Sequence, residues 1–164
     1  MWLIRDFQES DAMALASIVN AMVFDADTCM SGHRLVSVEA LTILLRRSDR
    51  TRVIMLDDMV VGAVGWRTRA GQRAIEVFYV NRTTGKELEI ADRLLQNVLV
   101  DCVGSGIIVL KWSSPIDATM VQDITARYTS VASEHVVFAG KEGIGYTAPI
   151  AGLLTEIDAV YPRT

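Results

Sequence analysis

The sequence predicts an α/β (α+β) fold, a central mixed but mostly antiparallel sheet with helices on both faces, and three observations carry that prediction. The apolar period is that of helices up to about Arg47 and that of strands from Arg52 onward. A buried strand, a Gly-containing polar turn and an amphipathic helix then follow one another over Glu76–Leu95. A further buried strand, Ile107–Trp112, comes after that helix, so the helix serves as a crossover and the two strands lie parallel. With 164 residues, 51% hydrophobic and 22% charged, the chain has the composition of one globular domain, spanning residues 1–164, that buries a core without disulfides or metal.

Taken in order, Trp2–Ile4 reads as a strand and Arg5–Ser10 as a loop. Leu15, Ile18, Val19 and Met22 fall at helical spacing behind an N-cap at Ser10 or Asp11. Periodicity stops over Asp25–Gly32, a loop, and Ser37 caps a second helix, Val38–Arg47, with Leu41, Leu44 and Leu45 on its apolar side. Arg52–Leu56, the turn Asp57-Asp58 and Met59–Trp66 form a hairpin, and after Ala70-Gly71-Gln72 the strand Arg73–Val80 completes a meander.

Ile90, Leu94, Leu95, Val98 and Leu99 mark the crossover helix, which Gly104-Ser105-Gly106 ends. After Ile107–Trp112, Ser113–Asp117 breaks the chain and caps a helix carrying Val121, Ile124 and Tyr128. Glu134–Ala139, a Gly-rich turn at Gly140–Gly145 and Tyr146–Ile150 read as a closing hairpin. Leu153, Leu154, Ile157, Val160 and Tyr161 give a last short helix that packs on the body or, in a homodimer, on a second subunit.

A net charge of -4 repels polyanions, and basic and aromatic residues are not interleaved, so nucleic acid is not expected as a partner. Arg5 and Asp6 interrupt the N-terminal apolar run, and Cys29 and Cys102 stand far apart; both point to a reduced, cytoplasmic setting. Runs such as Met59–Trp66 are too short for a membrane, and none is expected. Cys29, His33, Cys102 and His135 lack ligand spacing, so no metal is expected either.

The turn and helix start within Glu76–Leu95 form an anion site in outline, because first-turn N–H groups are unpaired and the helix dipole is positive there. This element order, the run Ile4-Arg-Asp-Phe-Gln-Glu-Ser-Asp-Ala12, the hairpin at Asp57–Gly62 and the central strand-loop-helix together resemble the GNAT acyltransferase family over nearly the whole chain. The resemblance implies a GNAT-like fold and acetyl transfer from acetyl-CoA, as cosubstrate, to an amine of a small molecule or protein.

In that family the loop after the fourth strand has the pattern Arg/Gln-x-x-Gly-x-Gly/Ala, whose amides cradle the cofactor's pyrophosphate. Two registers fit here. Arg82-Thr-Thr-Gly85-Lys-Glu87 keeps the Arg and the central Gly; Lys86-Glu-Leu-Glu89-Ile-Ala91 keeps the final small residue. The resemblance thereby implies cofactor contacts from Phe78, Tyr79 and Val80 at the strand end and from Arg82, Gly85, Lys86, Leu88 and Ala91 beyond it. Each register puts a glutamate, Glu87 or Glu89, at a position meant for a small residue. Such a carboxylate repels phosphate by about 1 kcal/mol per charge pair in water at contact distance.

Tyr128, in Ala126-Arg-Tyr-Thr-Ser-Val131, corresponds to the family's acid for the leaving thiolate, although the following Gly-Phe is absent. Glu76 lies on the strand that supplies the base in many members, and simple alternation puts it on one face with Phe78 and Val80, among apolar neighbours. Arg46, Arg47, Arg50, Arg52, Arg67, Arg69 and Arg73 read as a solvated hairpin rim or as recruiters of an acidic substrate or the cofactor's 3'-phosphate. The altered glycine positions leave an alternative: a GNAT fold kept for binding, inhibition or assembly without turnover.

Overall fold

Chain order and spatial order part company at the fifth strand. In a computed structural model describing residues 1–24, 35–115, 118–138 and 140–163, β1 (Trp2–Asp6), β2 (Arg50–Leu56), β3 (Met59–Arg69) and β4 (Gln72–Val80) lie side by side as antiparallel neighbours. β5 (Val109–Pro115) joins β4 in parallel, and β7 (Lys141–Pro149) inserts between β5 and β6 (Ala132–Phe138). The seven-stranded sheet therefore runs β1-β2-β3-β4-β5-β7-β6, the mixed, mostly antiparallel sheet that the sequence predicts.

Among the described residues five helices flank it: α1 (Ala12–Phe24), α2 (Val38–Arg47), α3 (Glu87–Gly104), α4 (Thr119–Ala126) and α5 (Ile150–Val160). Two glycines of β3 show how they are distributed. A Cβ on Gly62 would meet Ile90 of α3, whereas one on Gly65, three positions on and so on the other face, would meet Ser48 just past α2. α1 and α2 thus cover one face, and α3, with α4 and α5 beside it, covers the other. Gly62 also admits the neighbouring strand closely, since a Cβ there would lie 2.6 Å from the Tyr79 carbonyl oxygen.

Local chemistry accounts for most boundaries. Asp57 and Asp58 both adopt positive φ, 49° and 67°, which is the backbone of a tight two-residue hairpin turn. Ser37 Oγ accepts the Ala40 N–H at 3.1 Å and caps α2 as expected. Asp11 serves differently: it ends a 3-10 turn (Glu9–Asp11), accepts the Gln8 N–H at 2.8 Å and takes both ends of the Arg5 guanidinium. That fixes β1 to the entry of α1. The loop expected at Asp25–Gly32, with Cys29, and neighbouring His33 lie outside the described residues.

The C-terminal third departs further from expectation. The Gly-rich stretch is strand rather than turn, because only Gly140 turns back, at φ 74°, while Gly143 and Gly145 pair within the sheet. β5 runs on through Ser113 and Ser114, which pair with Gly145 and Ile144. The last helix packs on the body of the chain. α5 buries Ile150, Leu153, Leu154 and Ile157, and Gln96 of α3 donates to both Asp158 and the Tyr161 carbonyl at 2.7 Å. No helix among the described residues is long and apolar enough to cross a membrane.

Candidate functional site

β4 and β5 are joined by three residue pairs, Gln72–Val109, Arg73–Leu110 and Ala74–Lys111. Beyond them β4 continues to Val80, paired with β3, and β5 to Pro115, paired with β7, with no rung between the two among the described residues. The facing edges of both strands carry backbone N–H and C=O groups without a strand partner. A bulge sits at the start of this gap: Gly65 pairs with Val77 and Trp66 with Ile75, so Glu76 is an extra residue. It shifts the alternation of β4, and Ile75 and Phe78 line one cavity on the α3 side. Glu76 projects to the α1/α2 side, which corrects the expectation that Glu76 shares a face with Phe78 and Val80.

On the α3 side the gap is filled. Ile75, Phe78, Leu95, Trp112, Val121 and Ile124 leave a cavity of about 10 Å³, space for one water. Thr125 lines it too, and its buried hydroxyl has no hydrogen-bond partner among the described residues. Thr125 also borders a second cavity of about 350 Å³, shared with Gln122, Tyr128, Ser133, Ile144 and Tyr146. The Tyr146 ring stacks on Trp112 at 5.5 Å, and its hydroxyl lies 3.3 Å from the Ser114 hydroxyl.

Tyr128 stands just past the end of α4 at Ala126, not within the helix as its spacing suggested. Its neighbours fix it there. Arg127 Nη2 donates to the Tyr128 phenolic oxygen at 3.3 Å, and the guanidinium lies 5.2 Å from the ring centroid. The same guanidinium grips buried Asp92 of α3 with two hydrogen bonds, 2.6 and 3.0 Å. Burial, and next the Asp92 carboxylate, push the Tyr161 phenol up. Glu156 of α5 accepts the Thr129 and Ser130 N–H groups at 2.7 and 2.9 Å. Burial pushes its carboxyl up, but the hydrogen bonds from Thr129 and Ser130 outweigh that and hold it at about 2.

The α1/α2 side of the junction has the opposite character. Glu76 opens into a cavity of about 250 Å³ with Arg67, Arg69, Gln72, Ala74 and Lys111 around it. Its carboxylate is 3.4 Å from Arg67 Nε, and Arg67 Nη2 donates to the Arg47 carbonyl at 2.7 Å. Glu76 therefore sits among cations rather than the apolar neighbours expected of it.

At the head of the gap, the β4–α3 loop is folded by its own side chains. Asn81 Oδ1 accepts the Thr83 N–H at 2.9 Å, and Thr84 Oγ1 accepts the Lys86 N–H at 3.1 Å. Gly85 has φ 70°, with open space where a Cβ would stand. The first bond of α3 runs from the Ile90 N–H to the Lys86 carbonyl, and no side chain caps the helix, so the amides of Glu87, Leu88 and Glu89 point ahead of it. Arg93 donates to Glu89 at 2.9 Å and lies between the Trp2 and Tyr161 rings, 5.1 and 5.2 Å from their centroids. Glu89 is thereby balanced by a local cation.

Of the other residues singled out in the sequence, Arg82, Lys86 and Leu88 are exposed around this helix start, with Lys86 Nζ 5.7 Å from the Trp2 ring. Tyr79, Val80 and Ala91 are buried in the core. Glu76 and Tyr128 lie on opposite sides of the sheet, in separate cavities. Sequence reasoning missed Asp92, Arg127, Trp112 and Thr125. The one available signal was a carboxylate at position 92, within the apolar run of α3 between Ala91 and Leu94, where burial demands a partner.

The fold as a whole is shared with solved proteins. A GNAT-family acetyltransferase from Staphylococcus aureus Mu50 superposes with a TM-score of 0.70 at 12% identity, covering 92% of this chain and 99% of that one. The fold is the GNAT fold. A ribosomal-protein-alanine N-acetyltransferase from Brucella melitensis gives 0.67 at 17% identity over 90% and 99% of the two chains. A putative acetyltransferase from Salmonella typhimurium, solved with acetyl-CoA, gives 0.66 at 14% identity over 92% and 94%. No protein-family model and no curated protein matches the sequence.

Two parts of this GNAT fold suit a cofactor of that type. The first turn of α3, flanked by exposed Arg82 and Lys86, fits a phosphate group, and the edges of β4 and β5 that share no rung beyond Ala74–Lys111 suit an extended chain bearing amides.

Proposed function

We propose that the protein transfers an acetyl group from acetyl-CoA to an amine of a small molecule or protein. The observation that carries this reading is the parting of β4 from β5 after three residue pairs, with the uncapped start of α3 at the head of the gap. Arg82, Lys86 and the amides around Glu87–Glu89 would hold the pyrophosphate, and the β5-facing edge of β4 near Phe78 and Val80 the chain beyond it. Phe78 and Trp112 swing aside to admit that chain, since they fill the gap. Bound acetyl-CoA supplies a thioester carbonyl and a thiolate leaving group.

The remaining chemistry is that of the protein. Glu76, at the mouth of the gap on the α1/α2 side, takes the proton of the acceptor ammonium and frees the nitrogen lone pair. Tyr128, on the α3 side, supplies a proton from its phenolic oxygen for the departing group. Arg127, 3.3 Å away, faces the negative charge then left on that oxygen. The second proton shed by the acceptor nitrogen as the C–N bond replaces the C–S bond restores the Tyr128 phenol, so the net proton stays on Glu76.

Calorimetric titration with acetyl-CoA tests the reading, with heat release and a raised thermal midpoint expected. Absence of both at millimolar ligand would falsify it. Affinity that appears only after Glu87→Gly or Glu89→Gly would instead identify a GNAT fold kept for binding or assembly without turnover.

A further inference from the structure

We infer that the cavity on the α1/α2 side of the β4–β5 junction is the acceptor site, and that it selects small amines carrying an anionic group, a carboxylate or a phosphate. The inference rests on the acetyl-transfer reading and names its substrate class. Arg67, Arg69 and Lys111 surround about 250 Å³ of open space in which Glu76 is the one carboxylate among the described residues. Arg73 contributes backbone there, because its guanidinium binds Asp101 of α3 and lies 5.1 Å from the Trp66 ring. Three cations against one anion leave an excess of two positive charges in a chain whose net charge is -4.

Those cations are available. Neither Arg69 nor Lys111 has an ion pair among the described residues, and both are exposed. Arg67 reaches Glu76 through a single contact of 3.4 Å, longer than a good charged hydrogen bond. An anion entering the cavity competes for Arg67 and loosens Glu76, so occupancy by the right acceptor prepares the carboxylate that takes its proton. Position supports the same conclusion. Lys111 and Ala74 form the last rung before the strands part, and Glu76 is the bulged residue just beyond it. An acceptor anchored on Lys111 and Arg69 therefore holds its amine at the opening of the gap. The volume falls below the range of about 300–1,000 Å³ typical of drug-sized pockets, which favours a compact metabolite over a peptide segment.

Two probe pairs separate charge from shape: 4-aminobutyrate against butylamine, and O-phosphoethanolamine against ethanolamine. In amide NMR spectra of the intact protein, the anionic member of at least one pair shifts the Arg67, Arg69, Glu76 and Lys111 signals and its neutral partner does not. With acetyl-CoA present, kcat/KM for that anionic amine exceeds that for its neutral partner by about tenfold, and Arg69→Gln with Lys111→Gln removes most of the difference. Lys141→Gln, on the exposed start of β7, keeps it. Which pair responds separates carboxylate from phosphate recognition. Anion-specific shifts without any acetyl transfer keep the cavity as an anionic-amine site but overturn the acetyl-transfer reading and, with it, the acceptor role. Equal turnover of charged and neutral amines, or shifts elsewhere only, overturns the inference.

Discussion

The two sides of the β4–β5 junction are made by the same two strands and have opposite contents. Toward α1 and α2, Glu76 and three cations border about 250 Å³ of open space; toward α3, aromatic and aliphatic side chains leave about 10 Å³. One extra residue separates them. Because Glu76 is bulged, the carboxylate goes to one side while Ile75 and Phe78 both go to the other. The polar side is therefore open before anything binds, whereas the apolar side is packed core that a ligand has to displace.

The packed side is where the largest effects lie. Trp112→Ala removes a ring that is 8% exposed and stacked on Tyr146, and should lower stability by about 3–5 kcal/mol. Urea denaturation measures it, and a loss below about 1 kcal/mol would mean that this side is loosely filled after all. Next comes Arg127→Ala, which strands the buried Asp92 carboxylate at a cost of about 3 kcal/mol. Adding Asp92→Asn should recover part of that loss in the double variant.

On the open side the expected change is in rate rather than stability. Glu76→Gln should lower kcat/KM by about a hundredfold or more and leave acetyl-CoA affinity unchanged. Weaker acetyl-CoA binding by the variant would place Glu76 on the cofactor side and erase the contrast. The smallest effect concerns the turn carrying Tyr128. Glu156 is held at about 2 when folded, below its ordinary value of 4.5, so its contribution is complete above about 4.5 and is lost as pH falls toward 2. Glu156→Gln should cost about 1 kcal/mol at neutral pH and flatten the acid limb of a stability-versus-pH curve over that window.

Much of the architecture is legible in the sequence because it rests on local signals. Ser37 before an apolar period gives α2, paired aspartates give the β2–β3 turn, and the switch of period gives the meander. What escapes is set by long-range pairing. Nothing local says that β7 inserts between β5 and β6, or that Gly143 and Gly145 belong to a strand, since partners distant in sequence supply those bonds. The bulge at Glu76 is similarly silent, because alternation of apolar residues reads the same until a partner strand skips a position. At the site, Glu76 and Tyr128 are legible as residue types in suggestive places. Their surroundings are not, since Arg67 reaches Glu76 from β3, Asp92 of α3 holds Arg127 beside Tyr128, and Glu156 of α5 holds the Thr129 and Ser130 amides that follow Tyr128.

The three rungs between β4 and β5 also divide the sheet mechanically. A four-stranded antiparallel plate, β1 to β4, meets a three-stranded plate, β5-β7-β6, along a parallel contact three residues long. Parallel rungs are slightly weaker than antiparallel ones, and this contact is also the shortest between any two strands of the sheet. Native-state hydrogen exchange should then resolve two cooperative units, with the junction amides opening at lower free energy than those at the centre of either plate. Rotation of the plates about this seam would widen or narrow the gap without breaking a rung inside either plate.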